Sequence, residues 1–168
     1  MSALSDKFLQ AKVEDLMSRE VVTIDLASTM ANAAKVLDEH GISGAPVVDE
    51  VGHCVGILSS RDFVRLEKDR ESICSVGEYE TVHEMVQDAH TGAYQMVAHP
   101  YGEVSGHMQS AVQTVKPTES LRHAIEILTA AEVHRLIVLD ETDRPVGVLS
   151  ASDVLKSILQ SADGNEGS

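Results

Sequence analysis

Two serine–aspartate pairs share one spacing in this sequence: Ser59 with Asp62 in "VGILSSRDFVR" (Val55–Arg65), and Ser150 with Asp153 in "VGVLSASDVLK" (Val146–Lys156). A carboxylate three residues after a hydroxyl, where a strand feeds a helix, supports two kinds of chemistry. It closes a capping box, in which the serine oxygen takes a backbone N–H and the acid reaches back. An acid there also suits the positive end of the helix dipole, by about 0.3–1 kcal/mol. The same geometry serves a ligand. Free N–H groups at a helix start suit an anion, and a carboxylate accepts the two hydrogen bonds of a vicinal diol such as that of ribose. A capping box predicts nothing elsewhere, whereas a nucleotide site predicts a phosphate clamp and an apolar slot for a base. "EVHRLIVLD" places His134 and Arg135 just before an apolar strand, a ring donor beside a bidentate guanidinium. Arg144 and Lys156 add positive charge to this copy. Ser43 and Gly44 stand at the matching positions of the first copy, so its clamp is weaker, with Arg61 in "SSRD" as partial compensation. A solvated His-Arg pair at a strand edge is the competing reading.

The elements that must position these residues are written twice. Residues 17–65 and 108–156 align without a gap at a shift of 91 positions, and repeats of this kind set the fold. Each copy opens on a short β-rich piece, "VVTI" (Val21–Ile24) or "VQTV" (Val112–Val115). A helix follows. The first, over Ser28–His40, carries Met30, Ala33, Ala34 and Leu37 on one face and ends at Gly41; the second carries Leu121, Ala124, Ile125 and Leu128. Glu132 stands where Gly41 does, so the second helix is expected to close differently. Two strands come next, "APVV" and "CVGIL", or "LIVL" and "PVGVL", joined by the turn-prone "DEVGH" and "DETDR" into hairpins. A second amphipathic helix starts near Ser59 or Ser150. The order is β-α-β-β-α, twice. A unit of about 50 residues buries too little surface to be comfortable alone, so the copies are expected to pack on one another. The organisation is a first repeat over residues 10–70, an inserted linker over 71–103, a second repeat over 104–160 and a disordered tail over 161–168. Within the linker, "TVHEMVQDA" reads as a short helix and the rest as loop.

Composition narrows the function classes. The chain has 168 residues, 43% of them hydrophobic, but only 3% aromatic with no Trp, so the core is aliphatic. A formal charge of −14 removes the basic footprint that nucleic acid or anionic lipid would need over the whole chain, while leaving room for a local phosphate pocket. Two cysteines, Cys54 and Cys74, make neither a disulfide framework nor a thiolate zinc site. No signal peptide or membrane-length apolar run is present, and the sequence reads as a soluble cytoplasmic protein.

"GISGAPVVDEVGHCVGILSSRDFVR" and "EVHRLIVLDETDRPVGVLSASDVLK", two motifs in one register, resemble a tandem pair of CBS domains, together called a Bateman module. The resemblance covers about residues 13–65 and 104–159. It implies an α/β (α+β) fold of two β-α-β-β-α repeats about a pseudo-twofold, sheets face to face, with ligand clefts between them and a tendency to homodimerise. It implies binding of an adenosine-containing ligand of the AMP, ADP or ATP class, or S-adenosylmethionine or NAD, with no required cofactor. Asp62 and Asp153 would hold the ribose. Ser59 and Ser150 would lie by ribose or phosphate, flanked by Arg61 and Ser152. Backbone at Thr23–Asp25 with Ile42–Ala45, and at Thr114–Pro117 with Val133–Leu136, would cradle the adenine; these stretches include Gly44 and Lys116. "HRLIVLD" resembles the kinase-regulating energy sensors, in which His and Arg grip phosphates, and the Asp153 site is therefore the favoured one. The expected role is regulatory signalling to a partner protein by a stand-alone pair, with no catalysis.

Three other readings compete. Catalysis lacks its motifs: there is no phosphate-binding Gly-x-x-x-x-Gly-Lys loop, no Gly-x-Ser-x-Gly and no His-Glu-x-x-His. A metal site would draw on His83, His90, His99, His107 and Cys74, whose spacings fit no standard ligand pattern, and none is expected. The serious rival is a ligand-free dimerisation or interaction module.

Overall fold

The computed structural model describes residue 8 and residues 10–73, 82–87, 94–99 and 102–163. Elements are numbered in chain order. The first repeat comprises β1 (Ile24–Asp25), α1 (Met30–Glu39), β2 (Gly44–Val48), β3 (Cys54–Ser59) and α2 (Ser60–Ile73). A hairpin follows, β4 (Val82–Gln87) and β5 (Tyr94–His99). The second repeat comprises β6 (Thr114–Val115), α3 (Leu121–Ala130), β7 (Arg135–Leu139), β8 (Pro145–Ser150) and α4 (Ala151–Asp163). Each repeat makes one three-stranded sheet, in the orders β1-β2-β3 and β6-β7-β8. The fold class is α+β, as the sequence predicts.

Local chemistry explains the helices. Thr29 caps α1 by accepting the Asn32 N–H at 3.2 Å, and Ser120 caps α3 by accepting the His123 N–H at 3.3 Å. Met30, Ala33 and Leu37 are buried on α1, and Leu121, Ala124 and Leu128 on α3, so the apolar stripe of each helix faces its own sheet. The two C-termini close alike, contrary to expectation. Gly41 has φ +60° and Glu132 has φ +52°; the following N–H groups, of Ile42 and Val133, return to the carbonyls of Leu37 and Leu128 at 3.0 and 3.2 Å. The carbonyls at the helix end need a donor whatever residue stands there, and Glu132 accepts the left-handed conformation that glycine takes more cheaply.

The insert also departs from expectation. "TVHEMVQDA" does not form a helix; Val82–Gln87 pairs antiparallel with Tyr94–His99, Met85 opposite Met96. Glu, Met and Gln favour helix locally, but a second β-prone segment within reach supplies strand partners, and pairing overrides a weak propensity. Helix α2 runs through Ile73 and α4 through Asp163, so residues 71–73 and 161–163 are helical. Cys74 and His90, and residues 164–168 of the expected tail, lie outside the described residues.

By packing, the chain forms two compact units. One holds the described residues up to Val22, Val51–Cys54 and the chain from Ala111 onward; the other holds Thr23–Glu50 and Val55–Ser110. The stretch before each repeat is thus exchanged. Val13 and Met17 belong to the core of the second repeat, with Leu121, Leu136, Val138 and Leu149. Val104 belongs to the core of the first, with Met108 packed against it beside Met30, Val47 and Leu58. Each arm makes a 3-10 turn (Val13–Asp15, Val104–Gly106) and then bridges a strand. Ser18 and Val148 exchange two backbone hydrogen bonds at 2.9 and 3.0 Å, and Gln109 and Ile57 exchange two at 2.9 Å. The glycine that opens each Gly-x-x-Ser-x-x-Asp motif has its explanation here. A Cβ on Gly147 would collide with the Met17 sulfur, and one on Gly56 with the Met108 sulfur. The motif glycine is the seat of the arm's methionine.

Candidate functional site

The capping-box reading of Ser-x-x-Asp is visible in the second repeat. β8 ends at Ser150 and α4 begins at Ala151. Asp153 Oδ2 accepts the Ser150 N–H at 2.9 Å and the Ser150 hydroxyl at 2.6 Å, while Ser150 Oγ lies 3.2 Å from the Asp153 N–H. That is a complete capping box. It uses one carboxylate oxygen. Among the described residues no group donates to Oδ1 of Asp153, and the side chain is half-buried. The cap therefore orients the carboxylate and leaves one face of it open.

The strand register brings Arg135 to the same place. Arg135 stands directly opposite Ser150 in the β7–β8 ladder, and directly opposed residues share a sheet face. The Ala151 N–H donates to the His134 carbonyl at 3.0 Å, tying the entry of β7 to the first residue of α4. Both basic side chains are exposed. Leu136, Val138 and Leu149, offset by one along the strands, face the core, so Arg135 and Ser150 lie on the opposite face. Thr114 is half-buried on β6, beside β7, and Val133 packs against the core; Ser152 is exposed on the first turn of α4. Lys116 is placed otherwise: its ammonium donates to the Asp140 carbonyl and pairs with Asp143 at 3.4 Å, in the β7–β8 turn.

The first repeat repeats the cap and closes it. Asp62 Oδ2 accepts the Ser59 N–H at 2.7 Å and the Ser59 hydroxyl at 2.8 Å. Its Oδ1 is also taken, by the Gln109 side-chain amide at 3.0 Å, and Asp62 is only 2% exposed. Ser43 and Gly44 stand at the positions of His134 and Arg135. Gly44 occupies the place of Arg135, and a Cβ there would sit 3.1 Å from the Leu58 carbonyl oxygen and 3.3 Å from the Ser59 Cβ, tighter than side chains ordinarily pack. Arg61 is exposed on the first turn of α2 and Thr23 is exposed before β1. The Asp25 carboxylate accepts the Ala27 N–H at 2.9 Å and so serves its own turn. Ile42 packs against the core and lines an open concavity of about 470 Å³ with Ala34, Leu37, Ser43, Ser60 and Phe63; Asp62 does not line it.

Gln109 is the residue that motif reading misses. Its only signal in the sequence is a departure between copies, because the repeat places Ser18 at the matching position. Among the described residues no three His, Cys, Asp or Glu side chains gather closely enough to hold a metal ion, and no helix is long and apolar enough to cross a membrane. His83 stands opposite Ala98 and His99 opposite Val82 in the hairpin, so these histidines are not direct cross-strand partners.

Comparison with known proteins agrees with this architecture. The gamma-3 subunit of human 5'-AMP-activated protein kinase is 25% identical over 163 residues, covering 94% of this chain and 29% of that subunit. The chain spans 23% to 50% of the length of such curated relatives. Among solved structures, CBSX2 in complex with AMP superposes with a TM-score of 0.66 at 20% identity, covering 89% of this chain and 96% of that one. The CBS domain pair of protein MJ0100, in complex with 5'-methylthioadenosine and S-adenosyl-L-methionine, superposes with a TM-score of 0.67 at 21% identity, covering 89% and 97%. The family model of the CBS domain matches twice, at residues 13–69 and 102–160, and the chain belongs to the CBS-domain family as a tandem pair.

Proposed function

We propose that this protein is a regulatory CBS pair that binds an adenine nucleotide of the AMP, ADP or ATP class through its second repeat. One observation carries the reading: the open oxygen of Asp153, oriented by its own cap, lies next to a ladder position where Arg135 faces Ser150. A ribose diol takes the carboxylate, and a phosphate takes Arg135 with His134 beside it. Thr114 and Val133 contribute to the base pocket. Lys116 is better read as part of the β7–β8 turn. The AMP complex of CBSX2 and the kinase-subunit relative support an adenine nucleotide. Binding biases one arrangement of the chain over another, and a partner protein responds to the difference.

A thermal-shift series with AMP, ADP, ATP, NAD and S-adenosylmethionine, followed by calorimetry, tests this. A ligand at 100 times its Kd stabilises the fold by about 2.7 kcal/mol, which for a chain of this size is a rise of roughly 5–10 °C. Arg135→Ala is expected to erase the preference for AMP over adenosine, because only the phosphate meets the guanidinium. No shift with any of the five compounds would reject nucleotide binding. Preference for S-adenosylmethionine, the ligand class of the MJ0100 complex, would replace phosphate recognition with another adenosine chemistry.

A second reading, association between copies, rests on α4. Leu155, Ile158 and Leu159 are 62%, 46% and 65% exposed and share one helix face, which borders the buried Val154. Sedimentation of the free protein against Leu155→Glu tests it; a monomer at every concentration would end this reading.

A further inference from the structure

The two aspartates of the repeat are chemically the same residue in the same cap, yet one is shut and the other open. The difference traces to the exchanged arms. Ser18 and Gln109 are repeat-equivalent, and each bridges the strand that carries the motif, Ser18 to Val148 and Gln109 to Ile57. Both side chains therefore start from matching backbone positions. The Gln109 side chain reaches Asp62 and donates to Oδ1 at 3.0 Å. The side chain of Ser18 is far shorter than that of Gln109, and among the described residues nothing donates to Oδ1 of Asp153. The amide of Gln109 thus supplies, from within the chain, the donor that a sugar hydroxyl would supply from outside. Gln109 is itself exposed, so it reaches the buried Asp62 carboxylate from the solvent side.

We infer that Gln109 is a specificity-determining residue: it occupies the first-repeat aspartate in place of a ribose and restricts the protein to one nucleotide per chain. This rests on the reading of Asp153 as a ribose acceptor. Gly44, in the place of Arg135, adds a second consequence. Once Gln109 is removed, Asp62 accepts a diol with no guanidinium opposite, so the opened position takes adenosine as readily as AMP.

Calorimetry of the full chain with AMP and with adenosine decides the matter, on wild type, Gln109→Ser and Gln109→Ser/Asp62→Ala. Serine is what the other repeat carries, so the substitution uses a residue the same backbone already accommodates. Wild type is expected to bind one AMP. Gln109→Ser is expected to bind a second equivalent, with AMP and adenosine affinities there within about threefold, and Asp62→Ala is expected to remove that second equivalent alone. Two equivalents in wild type, or one equivalent in wild type and Gln109→Ser alike, would overturn the inference while leaving nucleotide binding intact. No binding in wild type with one equivalent in Gln109→Ser would reject the proposed function of the second repeat and uphold the role of Gln109. No binding by either protein would reject both.

Discussion

Replacing each aspartate of the repeat by alanine should produce opposite signatures. Asp62 accepts three hydrogen bonds, from the Ser59 N–H, the Ser59 hydroxyl and the Gln109 amide, at 2% exposure. Asp62→Ala leaves a backbone N–H without its acceptor in a nearly dry place. Each unsatisfied buried donor costs about 1–3 kcal/mol, and the Gln109 amide and Ser59 hydroxyl recover water more easily, so the whole loss is about 3 kcal/mol. Asp153 accepts only from Ser150 and is half-buried. Asp153→Ala removes a helix cap, about 1 kcal/mol. For a chain of this size a kilocalorie is roughly 2–4 °C, so Asp62→Ala should melt about 6–12 °C lower and Asp153→Ala about 2–4 °C lower. Affinity for AMP should run the other way. Losing the charged acceptor of the ribose costs about 3 kcal/mol, roughly a hundredfold in Kd, in Asp153→Ala, against less than about twofold in Asp62→Ala. Differential scanning fluorimetry and calorimetry on the same preparations give both numbers. Equal losses of stability in the two variants, or a matching loss of AMP affinity in Asp62→Ala, would refute the argument that the second aspartate is open and the first closed.

Glu132→Gly should raise the unfolding free energy by about 0.5–1 kcal/mol, read by urea titration, since glycine holds φ +52° without a Cβ penalty. Gly147→Ala should lower it by about 1–3 kcal/mol through the collision with the Met17 thioether; shortening that side chain with Met17→Ala should shrink the effect of the second substitution. The Asp140 carboxyl lies below its ordinary value of 3.8, chiefly because the Thr142 hydroxyl donates to it, with the Arg144 N–H next. A depressed carboxylate stabilises the fold above its unfolded value, and this contribution is lost as pH falls from about 4 through the lower folded value. Stability measured from pH 5 downward should therefore fall less steeply in Asp140→Asn.

Much of this architecture is legible in the residues because its causes are local. The 91-residue repeat register, the apolar stripes on α1 and α3 and the β-α-β-β-α order follow from periodicity and turn chemistry, and the structure realises them. The hairpin that carries Arg135 and Ser150 is also legible, although its register, with the two residues opposite each other, is read from the structure. Where local signals were weak or in conflict, reading failed. Glu132 offers no sign that it takes a left-handed conformation, and "TVHEMVQDA" hides its strand behind helix-favouring side chains.

By itself the sequence determined the two caps, their helices and the strands that lead into them, because each depends on residues only three or four positions apart. Only the tertiary structure decided which arm docks on which sheet. Val13 with Met17 and Val104 with Met108 are near copies, so by pattern alone either arm suits either sheet. The choice belongs to packing between residues far apart along the chain. It sets Gln109 over Asp62 and the shorter Ser18 against the strand that leads into Asp153, and with them a closed carboxylate and an open one.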